Sequence, residues 1–164
     1  MSNDLPSIYQ QSLRNTHAAE HQGLVQMQSQ VDGLADYPDY QALLRRHIAT
    51  TQGQLARLDA ALTETGTTAG GGLRRAVTDA VGAAGKAVHG VMPDTTLKDL
   101  YAGYAFQGEQ IAAYRSLAVI AEAAGHGAHR GWIEESLEEE RAAAAQVERL
   151  IEPVTRKWLQ LNGK

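Results

Sequence analysis

The chain contains no cysteine, so a disulfide framework and a thiolate metal site are both excluded. Any metal must be held by oxygen and nitrogen ligands. Aromatic residues are sparse and the formal net charge is −4. Without a basic stripe interleaved with aromatics, nucleic acid is not expected as a partner. Hydrophobic runs are short, and none approaches the roughly 18 residues of a membrane span, so stable membrane insertion is not expected. The opening Met-Ser-Asn-Asp-Leu-Pro lacks the basic start and apolar run of a secretory signal, which makes a cytoplasmic location the expectation.

At 164 residues the chain suits one domain, residues 1–164, that buries roughly 70% of the surface its unfolded form exposes. Helical periodicity dominates. Pro6 suits a first helical turn, and the pattern predicts helices over about 6–32, 39–64, 95–124 and 128–152, separated by Gly33 to Asp39, Gly66 and Gly125-His126-Gly127. Short connections make each pair of helices an antiparallel hairpin. Asp94 suits a helix N-cap, and Pro153 is expected to end or kink the last helix. Residues 65–94 form a long crossover rich in Thr, Gly and Ala. Within it Leu73, Val77, Val81, Ala84 and Val88 recur at helical spacing opposite Arg74, Arg75 and Lys86. A short extra helix is predicted there, either lying on the bundle or serving a membrane surface or a partner.

The apolar stripes carry polar residues. Leu13, His17, Glu20, Leu24, Met27 and Val31 share one face of the first helix, and Tyr40, Leu44, His47, Thr51, Gln54 and Leu58 share one face of the second. A buried, unpaired carboxylate costs several kcal/mol, so Glu20 must be protonated, paired, hydrogen-bonded or bound to a metal. A weak internal repeat is visible as well. An offset of 90 lays the first helix on the third, placing His17 and Glu20 on Gln107 and Gln110. An offset of 92 lays the second on the fourth, placing His47 on Glu139. Four inward polar sites, Glu20, His47, Gln110 and Glu139, are thereby expected at one level of the bundle.

Carboxylates and imidazoles projecting inward from four helices are how ferritin-like proteins hold two metal ions. The charged or imidazole candidates are His17, Glu20, His47, Glu135 and Glu139, while the third helix offers two neutral amides. Structural readings stand beside these: a satisfied His17/Glu20 pair, and a core His47 hydrogen-bonded to Glu139. Of the acidic run from Glu134 to Glu140, Glu139 is read as inward and Glu135 as lying at the edge. Tyr104 and Tyr114 are read as core aromatics, and His126 and His129 as surface residues.

The stretch from Tyr104 through Gln107-Gly108-Glu109-Gln110 to Tyr114 and Leu117, with Glu135-Ser136-Leu137-Glu138-Glu139-Glu140, resembles the second hairpin of the YciE/YciF-type ferritin-like stress-response family. Ala19-Glu20-His21-Gln22, His47, Thr51 and Arg57-Leu58 are similar to its first. The resemblance covers nearly all of residues 5–151. It implies an all-α, ferritin-like four-helix bundle of two antiparallel hairpins joined by a long crossover, bacterial, often a homodimer, with a di-iron site. Glu20, His47 and Glu139 match the family's ligand positions, but Thr50, Gln107 and Gln110 stand where carboxylates are typical. A full di-iron centre is therefore not expected; the cofactor is none, or a single iron, manganese or zinc ion. Two functional readings follow. One is a bundle with a degenerate di-metal site, non-catalytic and acting through assembly or an unknown protein partner. The alternative is a metal-binding or oxidoreductase-like protein with a residual mononuclear site at Glu20, His47 and Glu139, with His17 and Glu135 as further ligands.

Overall fold

In the computed structural model, which describes residues 4–68 and 95–163, the apolar stripes of four long helices close on one another. Helix α1 (Leu5–Gln30) begins where Asp4 accepts a hydrogen bond from the Ser7 backbone N–H at 2.9 Å, with Pro6 in the first turn. This is an N-cap satisfying one of the orphan donors of the helix start. It also holds the Asp4 carboxyl below its usual pKa. A 3₁₀ turn (Val31–Leu34) then leads into α2 (Pro38–Glu64). Helix α3 spans Thr95–Ala123, and after a second 3₁₀ turn (Gly127–His129) α4 spans Arg130–Asn162. Gly66 and Gly125, at φ +70° and +83°, terminate α2 and α3 in the left-handed region that favours glycine.

Helix α1 packs on α2 and α3, and α4 on α3 and α2. Two hydrophobic clusters fill the ends of this bundle. Tyr9, Leu13, Leu58, Leu62, Tyr114, Leu117, Ile133 and Leu137 form one, and Met27, Leu34, Tyr40, Leu44, Leu97, Leu100, Val147 and Val154 the other. The end of α2 thus lies in one cluster and the start of α3 in the opposite one. The predicted extra helix and the Asp94 cap fall outside the described residues. Among those described, no helix is long and apolar enough to cross a membrane.

The expected end of the last helix at Pro153 is corrected: α4 continues through it, although an interior proline removes a hydrogen bond and costs about 3 kcal/mol. Beyond it, Val154 is buried in the second cluster and Trp158 packs against it. Burying such side chains recovers roughly 1.5–3 kcal/mol each, which offsets the proline and carries the helix to Asn162.

Candidate functional site

Between the two clusters lies a polar layer. Helix α1 contributes Glu20, α2 contributes His47, Thr51 and Gln54, α3 contributes Gln107 and Gln110, and α4 contributes Ser136 and Glu140, all of them buried. Each interrupts an apolar stripe between the two clusters, at mid-length in α1, α2 and α3 and in the first third of the longer α4.

Glu139 is not the inward carboxylate. That position belongs to Glu140, which is fully buried and accepts hydrogen bonds from Gln54 at 2.9 Å and His47 Nε2 at 3.3 Å. Glu139 lies on the flank of α4, where Arg57 grips both of its oxygens at 2.8 and 3.0 Å and also reaches Glu135 at 2.7 Å and the Ser136 hydroxyl at 3.1 Å. These carboxylates hold the Arg57 guanidinium even more firmly protonated than usual. Glu135 is more than half exposed. The repeat offset that pairs like with like in α2 and α4 is therefore 93, not 92. It lays Tyr40 on Ile133, Leu44 on Leu137 and His47 on Glu140, buried upon buried in every case.

His47 spends both ring nitrogens inside the layer. Glu140 can only accept when ionised, so Nε2–H donates to it and Nδ1 accepts from the Gln107 amide at 3.0 Å. This assignment, inferred from the network, makes the ring a neutral imidazole. Glu20 is fully buried. Burial, and then the facing Glu140 carboxylate, push its pKa up to about 8, while Tyr114 and Gln110 pull it partly back. Those two neighbours do not reach hydrogen-bond geometry. Both Glu20 oxygens, the Tyr114 hydroxyl and both polar atoms of Gln110 lack a partner, as do Glu140 Oε2, Gln54 Oε1 and Gln107 Oε1. The Tyr114 hydroxyl is correspondingly pushed well above its usual pKa.

The other candidates lie elsewhere. His17 is buried but pairs with Asp59 of α2 at 3.1 Å rather than with Glu20, and burial lowers its pKa. Tyr114 is core, as expected, whereas Tyr104 is 39% exposed. The expectation of a surface histidine fails at His129. It is buried, meets the Tyr9 hydroxyl at Nδ1 over 2.7 Å and Glu64 at Nε2 over 2.6 Å, with His126 stacked on Tyr9. No residue spacing announced this node; the left-handed turn at Gly125 brings it about.

Two divalent cations carry a charge of +4, and the layer can offer no more than the −2 of Glu20 and Glu140. The amides of α3 add none, so a dinuclear centre does not fit these residues. Among the described residues, no group of three or more His, Asp or Glu side chains is disposed to hold a metal ion.

Three solved structures share this architecture. A protein from Xanthomonas campestris pv. campestris is 21% identical with a TM-score of 0.82, the match covering 99% of this chain and 100% of the other. The stress protein YciF of E. coli is 19% identical with a TM-score of 0.75 over 99% and 100% of the two chains. YcfI from Rhodopseudomonas palustris is 22% identical with a TM-score of 0.69, covering 89% and 94%. The model of the family described as "Domain of unknown function (DUF892)" matches residues 4–160. With the YciF-like bundle and this match along nearly its whole length, the chain belongs to the DUF892 family, the YciE/YciF-type family that its motifs resemble.

Proposed function

We propose that this chain is a ferritin-like protein of bacterial stress-response type whose di-metal site has degenerated, and that it acts in the cytoplasm through assembly or partner binding rather than catalysis. The observation that carries this reading is the engagement of His47. Both of its nitrogens are taken, by Gln107 and Glu140, and the two amides that α3 places in the layer add no charge to it. A homodimer is part of the proposal. It is supported by the outward side of α3, where Tyr101 and Val119 are exposed, with Tyr104 on its flank.

A second reading rests on the unpartnered oxygens of Glu20 and Glu140. Two carboxylates balance one divalent ion, so a single iron, manganese or zinc ion could be held by Glu20 and Glu140 if His47 turned from its present partners to complete the set.

Elemental analysis separates the two. Untagged protein reloaded anaerobically with ferrous iron is compared with its Glu140→Gln and Glu139→Gln variants. The first reading expects no stoichiometric metal in any of them. About one equivalent, lost in Glu140→Gln and kept in Glu139→Gln, establishes the second reading, and about two equivalents would overturn both.

A further inference from the structure

Helix α3 carries apolar residues on its outward side as well as its inward one. Along α4 the exposed positions include Arg130, Glu134, Glu138, Arg141, Glu148 and Glu152, whereas between Tyr101 and Val119 the charged residues are Glu109 and Arg115 alone. A helix that is apolar all round is one that packs on all sides. The outward stripe is regular. Tyr101 and Val119 are about five turns apart and point the same way, and Ala105, Gly108, Ala112 and Arg115 lie within about 40° of the line joining them. All of these residues are exposed.

Gly108 serves nothing inside its own bundle. Its φ is not in the left-handed region, and a Cβ added there would meet no atom within 4 Å, yet glycine in a helix interior is destabilising. What a bare position on an exposed face permits is the close approach of another backbone. The stripe also reads the same in both directions. From Lys98 through Tyr101, Ala105, Gly108, Ala112, Arg115 and Val119 to Glu122 the steps are 3, 4, 3, 4, 3, 4 and 3, symmetric about Gln110.

We infer that the outward side of α3 is where a second copy of this chain docks, the two α3 helices packing antiparallel about a two-fold axis level with Gln110. The inference rests on the homodimer of the proposed function and names its surface. That register sets Tyr101 against Val119 of the other copy and, at the two ends, Lys98 against Glu122, so apolar meets apolar and the end charges are opposite. Gly108 meets Ala112 at the centre, where their small size brings the helix axes to about 8 Å. Among the described residues Arg115 has no hydrogen bond or ion pair. Tyr104 is exposed on the same flank, and the axis carries each Arg115 guanidinium to the level of the other copy's Tyr104 ring for a cation–π contact. Glu109, on the opposite flank, faces its own counterpart near the axis, and both carboxylates stay in water at the edge of the contact.

The full chain has no cysteine, so introduced thiols report the register directly. Tyr101→Cys and Val119→Cys chains are co-expressed and treated with a short bismaleimide. A cross-linked dimer is expected from the pair and not from either variant alone, in which the two thiols stand about 27 Å apart along the helices. Gly108→Arg places its side chain in open space of the single chain, so its helix content by circular dichroism should match wild type while its dimer dissociation constant in sedimentation velocity rises at least about tenfold. Glu109→Gln removes the facing charges and should tighten the dimer about threefold. A wild-type dimer whose Cys variants cross-link in no combination, or equally in all, would overturn this interface and leave the homodimer standing. So would a Gly108→Arg protein as dimeric as wild type. A monomeric wild type would overturn both.

Discussion

At the end of the bundle where α4 begins, His129 joins the Tyr9 hydroxyl to Glu64 at 2.7 and 2.6 Å, whereas midway along, His47 joins Gln107 to Glu140 at 3.0 and 3.3 Å. Both rings are buried bridges between helices, yet their surroundings differ. Glu64 is mostly exposed, so its charge stays in water and the node is closed at small electrostatic cost. In the middle layer two carboxylates are fully buried together and most of their neighbours have atoms without partners. A network meant only to hold helices together would resemble the first arrangement. The second is a half-satisfied polar network, which is worse for stability than apolar packing.

The comparison is broken most directly at Glu20. A carboxyl whose pKa rises on folding, here from the ordinary 4.5 to about 8, binds its proton more tightly in the native state. Its contribution to stability is therefore complete below about pH 4.5 and is lost as pH climbs through about 8. In chelator-treated protein, urea unfolding is expected to show stability falling by on the order of a few kcal/mol between pH 5 and 9. Glu20→Gln should remove most of that fall and be the more stable protein at pH 9, the two converging near pH 4. A wild type as stable at pH 9 as at pH 5 would mean that the layer is better solvated than its burial implies.

His129→Ala tests the other side. It leaves the buried Tyr9 hydroxyl without its partner, and a loss of about 2–3 kcal/mol in urea unfolding is expected. The same substitution at His47 should cost more, because it takes a partner from the fully buried Glu140 as well as from Gln107, whereas Glu64 keeps its charge in water. Equal losses would erase the distinction between node and layer.

The smallest effect is expected at the flank. Arg57→Ala removes the clamp on Glu139 and Glu135, and because the pairs are partly exposed the loss should be about 1 kcal/mol and shrink in 1 M salt. A loss several times larger, insensitive to salt, would place Glu139 in the layer after all.

Four helices, their hairpin pairing and the inward direction of Glu20, His47, Gln107 and Gln110 were legible because a 3.6-residue period needs no tertiary information to recognise. The acidic run of α4 was not so legible. Adjacent helical positions differ by only about 100°, and among five glutamates the half-buried Trp132, Gln146 and Leu150 suggested one register while the buried Ile133, Leu137 and Val147 chose the next. The run of α4 through Pro153 was hidden for a related reason. Local propensity opposes it, and only the docking of Val154 and Trp158 on the second cluster makes it favourable.

By itself, then, the order of residues determined which side chains lie along a common stripe, that the stripes hold carboxylate, imidazole and amide at mid-length, and that no thiol can join them. Tertiary structure decided which carboxylate faces His47, that Arg57 diverts its neighbour, and that His129 closes a second node with Tyr9 and Glu64. The physical reason is one of range. Periodicity is a property of consecutive residues, whereas the partner of a buried charge is chosen by the packing of helices whose contacts lie 60 to 120 positions apart in the chain.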